Sequence, residues 1–454
     1  MKNQSFNLSR RDFMVTAGKL SAGVLAGSAL FPAQASVGSS SKPRFALVGT
    51  GVRGVAMYGR DLVRGYSDSI ELAGICDSNP GRLAYAAEYI GAGCPTFVSL
   101  EEMLRQVKPD WLIVTSWDYE HHNHILTGLR HGCHIICEKP ITIDEQKAQM
   151  ILDAEKQYGK KIFVTLNYRY APHRAKLKEL LMEKVIGEIT TVDFHWNINF
   201  PHLRRYMQRW HGEADKGGTL WVHKATHHFD LLNWWLDSDP VEVFAYADLE
   251  RFGSKGPFRG KNCRNCDYTD RCEHYWDILK DPHLKRMYAD NEHYDGYIRD
   301  NCVFRKEINI YDKHAAVIKY ANNVYVNFSL TGDTDYEGFW LAFNGTQGRI
   351  EGREGGWPAD KQYHEWIITP RGKAPQVVRV PFEEGGHWGG DRRLMDQLFR
   401  NFGGPDPLHQ LAGTRDGILS MLVGVAARKS CVSGRPVRIE GLTDIKPQAV
   451  RPRA

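Results

Sequence analysis

The sequence predicts an α/β protein that opens with a doubly wound parallel sheet, and three observations predict it. A short apolar run, Arg44–Val48, leads directly into the glycine triplet Gly49-Thr50-Gly51-Val52-Arg53-Gly54. Strand-like and helix-like stretches then alternate from residue 44 to about residue 166. An acid, Asp77, closes the second apolar run. Parallel strands with helices on both faces of one sheet satisfy such alternation most economically.

Taken in order, Arg44–Val48 is too short for a helix and suits a buried strand. In the loop that follows, the first glycine permits a tight turn and the second lets backbone approach a pyrophosphate. The third lets the next helix pack close to the strand. A helix starting there points free N–H groups and its positive dipole end at phosphates. Gly49, Thr50, Gly51, Val52, Arg53 and Gly54 are therefore the expected dinucleotide loop. After a helical stretch from Val55 to about Tyr66, Ser69–Cys76 reads as the second strand. Asp77 then stands where a carboxylate accepts both ribose hydroxyls of an adenosine, which favours NAD over NADP. The alternative is a loop acid that caps the next helix. Trp111–Thr115, His134–Cys137 and Ile162–Thr165 are further buried strands. Ligands collect at the carboxyl ends of such strands, which brings Ser116, His121, Glu138, Lys139 and Asn167 to the site.

At 454 residues the chain is long enough for two domains and a leader. Its 59 basic residues against 54 acidic ones give a net +5. That surplus lies partly in the first dozen residues and the tail (Arg451, Arg453), and does not mark a nucleic-acid partner. No run of roughly eighteen apolar residues offers a membrane anchor. Ser9-Arg10-Arg11-Asp12-Phe13-Met14, a mildly apolar stretch to Phe31 and then Ala33-Gln34-Ala35 together read as a twin-arginine signal over residues 1–35. The twin-arginine export machinery is thus an expected partner, and the periplasm, or another exported location, the expected compartment. Residues 36–43 read as a linker, 44–166 as the dinucleotide domain, 167–440 as the second domain and 441–454 as a tail.

Within the second domain, residues 258–302 form a cysteine-rich insertion. Cys263-x-x-Cys266-x5-Cys272, closed by Cys302, has the spacing of metal ligands, and structural zinc is the preferred reading. Two disulfides or an iron–sulfur cluster are the open alternatives. Cys76, Cys94, Cys133 and Cys137 sit in or beside the first domain's interior as small apolar side chains, and Cys431 stands alone.

Glu138-Lys139-Pro140, with the glycine loop upstream, resembles the glucose–fructose oxidoreductase, inositol dehydrogenase and rhizopine-catabolism (Gfo/Idh/MocA) family. Asp118-Tyr119-Glu120-His121, Asn167-Tyr168-Arg169-Tyr170, Arg209-Trp210-His211, Gly217-Gly218 and His223–Asp230 extend the likeness over the chain that follows the leader. The resemblance implies a Rossmann domain joined to an α/β domain built on a large, mostly antiparallel sheet that often mediates homo-oligomers. The residues agree. Val192, Phe194, Trp196, Ile198 and Phe200 alternate with polar neighbours as in a half-buried strand. Asn322-Asn323 and Asn344-Gly345 are hairpin turns between strand-like runs, and two more strands fall near 366–369 and 377–380.

The resemblance further implies NAD-dependent oxidation of a small carbohydrate, with Lys139 as acid/base and His227 as a second catalytic group. His223 stands where relatives carry an aspartate, which suggests a relay through two imidazoles or a metal site. At i, i+4 spacing on one helix, His223 and His227 would share a face. Lys224 is a candidate substrate ligand, although helix lysines are usually solvated. Residues 200–211 supply aromatic and cationic side chains for stacking on sugar faces or, equally, for a packed cover.

Export separates the protein from the cytoplasmic NAD pool, so the expected chemistry is redox-neutral with tightly bound NAD. It is either glycoside cleavage by oxidation, elimination, hydration and reduction, or sugar–sugar oxidoreduction. A plain sugar or cyclitol dehydrogenase and an NAD-containing carbohydrate-binding protein without turnover are the alternatives.

Overall fold

The structure, a computed structural model, describes residues 42–358 and 360–452. The twin-arginine segment, and the linker as far as residue 41, lie outside the described residues. Among those described, no helix is long and apolar enough to cross a membrane.

The first sheet contains β1 (Arg44–Val48), β2 (Glu71–Cys76), β3 (Thr96–Phe97), β4 (Trp111–Val114), β5 (His134–Cys137) and β6 (Ile162–Val164). Their order is β3-β2-β1-β4-β5-β6 and every pairing is parallel. β1 and β4 read as unbroken apolar runs because both of their faces are buried. The order reverses between β1 and β4, so the ends of these strands open a crevice at the glycine loop.

The second sheet contains β7 (Ile189–Asn199), β8 (Pro240–Asp248), β9 (Lys313–Tyr320), β10 (Tyr325–Thr334), β11 (Gly338–Gly345), β12 (Gly348–Glu354), β13 (Tyr363–Pro370), β14 (Gln376–Pro381) and β15 (Val437–Arg438). Its order is β14-β13-β12-β11-β7-β10-β9-β8-β15. β7 and β10 run parallel, and the other pairs are antiparallel. The expected fold class is therefore the observed one. Phe200, assigned to the β7 alternation, instead starts the helix Phe200–Gln208, because Asn199 caps it by accepting from His202 N–H and Pro201 suits a first turn. The β11–β12 turn also sits further on than expected. Asn344 and Gly345 stay in the ladder opposite Arg349 and Gly348, which leaves Thr346-Gln347 as the turn.

One face of this sheet is buried beneath Thr226–Leu236, a helix with every residue buried, and Thr414–Ser433. Val192, Phe194, Trp196 and Ile198 point into that layer. Each fully buried side chain of this size contributes about 1.5–3 kcal/mol.

Two segments tie the domains together. Helix Gly390–Phe399 follows the last long strand in sequence but packs Leu394, Met395, Leu398 and Phe399 against Phe45, Tyr66 and Trp111 of the first domain. Between β8 and β9, residues 249–312 form no strand, only short helical turns and the helix Pro282–Met287. This stretch leans on the first domain through Arg286–Glu88 (2.6 Å), Tyr85–His283 (2.5 Å), Asn79–Asn291 O (2.9 Å) and the pair Arg82–Asp295.

Leu398→Ala tests the first of these ties. It removes a side chain that is 4% exposed, and should destabilise the protein by about 2–5 kcal/mol. Denaturant unfolding followed by the Trp111 environment measures it; a change below 1 kcal/mol would show that the helix is not part of this core.

Candidate active site

β1 delivers the glycine loop into the crevice. Gly49 has φ +94° and a Cβ there would stand 2.5 Å from Ser116 N, so only glycine fits. A Cβ on Gly54 would lie 2.2 Å from Gly49 O, which records how tightly the following helix closes on the loop. Gly51 differs: a Cβ would meet nothing nearer than Tyr288 Oη at 3.3 Å. Thr50 donates its N–H and hydroxyl to Asp77 Oδ2 (2.8 and 2.9 Å), and Val52 N–H donates to Tyr288 Oη (3.2 Å). Asp77 Oδ1 accepts from Asn79 N–H at 2.9 Å. The carboxylate therefore shapes the loop and caps the next turn from within, while still bordering the cavity.

Arg53 is held by acids rather than left free for phosphate. Its Nε donates to Glu138 Oε1 (2.7 Å) and its terminal nitrogens donate to Asp391 (2.9 and 3.0 Å). Burial works against the charge on Glu138, yet Arg53 and Lys139 hold it below the usual carboxylate range. Asn167 donates to Asp391 (2.5 Å) and faces His387 Nδ1 (2.9 Å), while its own Oδ1 is buried without a partner. Ser116 Oγ meets His124 Nδ1 at 2.8 Å. Both nitrogens of His121 face carbonyls, Pro140 O at 2.8 Å and Ser116 O at 3.2 Å, so this ring braces two strand ends.

The reactive groups converge deeper in the same cavity. Lys139 Nζ donates to His223 O (3.0 Å) and lies 3.5 Å from His223 Nε2. Burial pulls its pKa down to about 8. His223 Nδ1 meets Asp118 Oδ2 at 2.5 Å. One proton lies between this carboxyl group and Nδ1; when Nδ1 carries it, Nε2 is left as an acceptor for the lysine, giving an Asp118–His223–Lys139 chain. Burial pushes Asp118 up and drives His211, His223 and His227 well below the imidazole range, so these rings are neutral. His227 stacks on Tyr168 with ring centres 3.9 Å apart, and its Nδ1 has no hydrogen-bond partner.

Two expectations need correction here. His223 and His227 do not share one helix: Leu220–His223 ends as Thr226–Leu236 begins, and the two rings reach the cavity from separate turns. Lys224 is not solvated; it is 3% exposed and donates to Glu337 (3.0 Å) and Tyr168 Oη (3.2 Å). Asp118 was legible only as part of a motif. Its partner lies 105 residues away, so no local pattern could assign it. Asp391 and Glu337 carried no sequence signal at all.

Among the described residues, Asp118, His211 and His223 are the one set of three metal-type side chains with ligand atoms within 4.8 Å of one another. Lys139 stands against His223, and its charge and that of Arg209 act on Asp118. Two resident cations oppose a third, which favours proton relay over metal binding. The four insertion cysteines do not form such a tight set, although all border one smaller cavity.

The main cavity measures about 1430 Å³ and runs from the glycine loop and Asp77 to Lys139, His223 and His227. That exceeds the roughly 300–1,000 Å³ usual for one small ligand, and leaves room for a dinucleotide beside another molecule. The bare backbone at Gly51, the helix start and the acid at the end of β2 fit a dinucleotide. Trp117, Tyr206, Arg209, Trp210 and Tyr297 wall the end away from Asp77.

Comparison with known proteins agrees. Residues 43–166 match the family model described as "Oxidoreductase family, NAD-binding Rossmann fold", and residues 178–439 match "Oxidoreductase family, C-terminal alpha/beta domain". YteT of Bacillus subtilis, named as an oxidoreductase, is 34% identical over 87% of this chain and 97% of its own. D-glucoside 3-dehydrogenase of Escherichia coli is 32% identical over 27% of this chain and 34% of its own. The WlbA dehydrogenase from Bordetella pertussis, solved with NADH and UDP-GlcNAcA, shares the fold. Its TM-score is 0.60 and its identity 20%, over 88% of this chain and 99% of its own.

Gly51→Ala separates binding from folding. The added methyl meets only Tyr288 Oη, at 3.3 Å, which must give by a few tenths of an ångström, but it stands in the path of a diphosphate, so NAD affinity should fall at least tenfold with little change in melting temperature. Gly49→Ala, strained and clashing, should lower both. Calorimetric titration and thermal melts read the two outcomes, and undiminished NAD binding by Gly51→Ala would displace the diphosphate from this loop.

Proposed function

The chain belongs to the Gfo/Idh/MocA oxidoreductase family with its NAD-binding Rossmann fold, and from that premise we propose that it cleaves a glycoside with a retained NAD that ends each turnover as it began. The observation that carries this reading is one large cavity that is lined both by the glycine loop and by several buried proton-transfer groups, Lys139, His211, His223 and His227.

NAD, when bound, supplies reversible hydride exchange with a carbinol carbon. The residues supply the rest. Lys139, neutral near pH 8, removes the hydroxyl proton of the carbon that becomes a ketone. Asp118 and His223 fix the lysine and share its proton. A ketone acidifies the neighbouring C–H. Elimination then needs a base for that proton and an acid for the leaving oxygen: His227 and His211, neutral and buried, border the same space as candidate bases, and Lys139, protonated by the preceding oxidation, is the acid. Water adds where the aglycone left, and the ketone is reduced. Dehydrogenation alone needs one base, so the three imidazoles favour the longer sequence. The aromatic and cationic wall suits a carbohydrate face.

Retention is supported by contacts that bind the glycine loop to later parts of the chain. Residues of the 281–299 segment line the dinucleotide cavity, with Tyr288 Oη accepting Val52 N–H, and Asp391 accepts from Arg53. The twin-arginine reading of the N-terminus supports export of the folded, loaded protein. The name of the relative D-glucoside 3-dehydrogenase favours a second reading, a plain dehydrogenase that oxidises carbon 3 and releases reduced cofactor.

A panel of nitrophenyl glycosides without added NAD distinguishes them. Aglycone release at constant NADH absorbance is expected; accumulation of keto-sugar and NADH without release would establish the dehydrogenase instead. The oxidation step should speed up as pH rises through about 8 and Lys139 loses its proton. Lys139→Met should retain NAD, turn over at least 100-fold more slowly and lose that pH limb. A wild-type rate that is flat from pH 6 to 10 would remove Lys139 as the base.

A further inference from the structure

Apart from the active site, Cys263, Cys266, Cys272 and Cys302 border one small cavity together with Phe258, His274 and Val303. All are free thiols in this structure. Cys263 and Cys302 are brought together where Asn262 and Asn301 form an isolated bridge. The cluster thus closes a loop, and the middle of that loop carries Trp276, His283, Leu284, Tyr288, Tyr297 and Arg299 to the wall of the dinucleotide cavity.

The surroundings suit thiolates. Gln208 Nε2 donates to Cys263 Sγ (3.3 Å), as does the backbone N–H of Trp276, and the N–H of His274 donates to Cys272. Gly260 and Phe304 direct their N–H groups at Cys302 Sγ (3.5 and 3.4 Å). A protonated thiol is a weak acceptor, whereas a thiolate is stabilised by every such donor. His274 borders the cavity with Nδ1 buried and unpartnered. The stretch from residue 249 to 312 has no strand, which is the kind of segment a bound ion organises.

We propose that Cys263, Cys266, Cys272 and Cys302 bind one zinc-class divalent ion, and that this ion fastens the part of the dinucleotide cavity wall that residues 276–299 supply. Thiolates about 2.3 Å from a tetrahedral ion stand about 3.8 Å apart, so the sulfurs draw inward on binding. The ion site stands independently of the glycosidase reading; the fastening role rests on dinucleotide retention.

The test is elemental analysis and intact mass of the purified full chain. One zinc per chain, released only when the thiols are titrated with a mercurial, is the expected result. Cobalt in its place should give intense thiolate charge-transfer absorption. Cys266→Ser and Cys302→Ser should lose the ion, whereas Cys431→Ser should keep it. Zinc removal from the wild type should release bound NAD at least tenfold faster. A metal-free chain with two disulfides, or iron with inorganic sulfide, overturns the site. Zinc present but an unchanged NAD off-rate overturns the fastening role. Zinc present with no NAD affinity in the intact protein overturns the dinucleotide reading and leaves the ion site standing.

Discussion

Arg53 is the joint on which the molecule turns. It belongs to the glycine loop, yet its guanidinium is divided between Glu138, at the end of β5, and Asp391, at the start of the helix that returns from the second domain. Three stretches far apart in sequence are thereby fixed around one charge. Glu138 Oε2 also accepts the backbone N–H of Lys139. The glycine loop and the backbone of Lys139 are thus set by the same side chain. Removing either carboxylate leaves a cation at the cavity wall with half its partners gone, and removing the arginine leaves two acids side by side. The geometry is stable because all three are present.

The second domain contributes by where its strands end. β7 runs to Asn199, which caps the helix Phe200–Gln208 and so brings Tyr206 and, just beyond, Arg209 to the cavity wall. The loop between β10 and β11 holds Glu337, whose pairing with Lys224 keeps a buried cation from drifting towards Lys139. The broad sheet is a rigid floor, and the chemistry sits on its rim.

The fold was readable because buried parallel strands leave unbroken apolar runs and half-buried strands leave alternation; β1, β4, β5 and β7 show both signatures plainly. The glycine loop was readable because backbone sterics demand glycine at Gly49. What stayed hidden depends on distance along the chain. The return of Leu394–Phe399 to the first domain's core looks, in sequence, like any amphipathic helix. The packing of residues 281–299 against the first domain rests on contacts with Tyr85, Glu88 and Arg82 that no spacing rule connects. His223 was seen as a departure from the family pattern, but the carboxylate that compensates for it was not, because it comes from the other domain. Helix periodicity also misplaced the two histidines, since it assumes a continuity that Lys224 and Ala225 interrupt.

The contact between Asp118 and His223 has a consequence for how such proteins diversify. The two halves of the dyad come from different sheets of one compact unit: Asp118 follows β4 of the first, and His223 lies in the helical segment packed beside the second. A hybrid that took its first domain from a protein lacking an acid at this position would leave the imidazole unsupported. The seam between the two sheets therefore limits which halves can be combined.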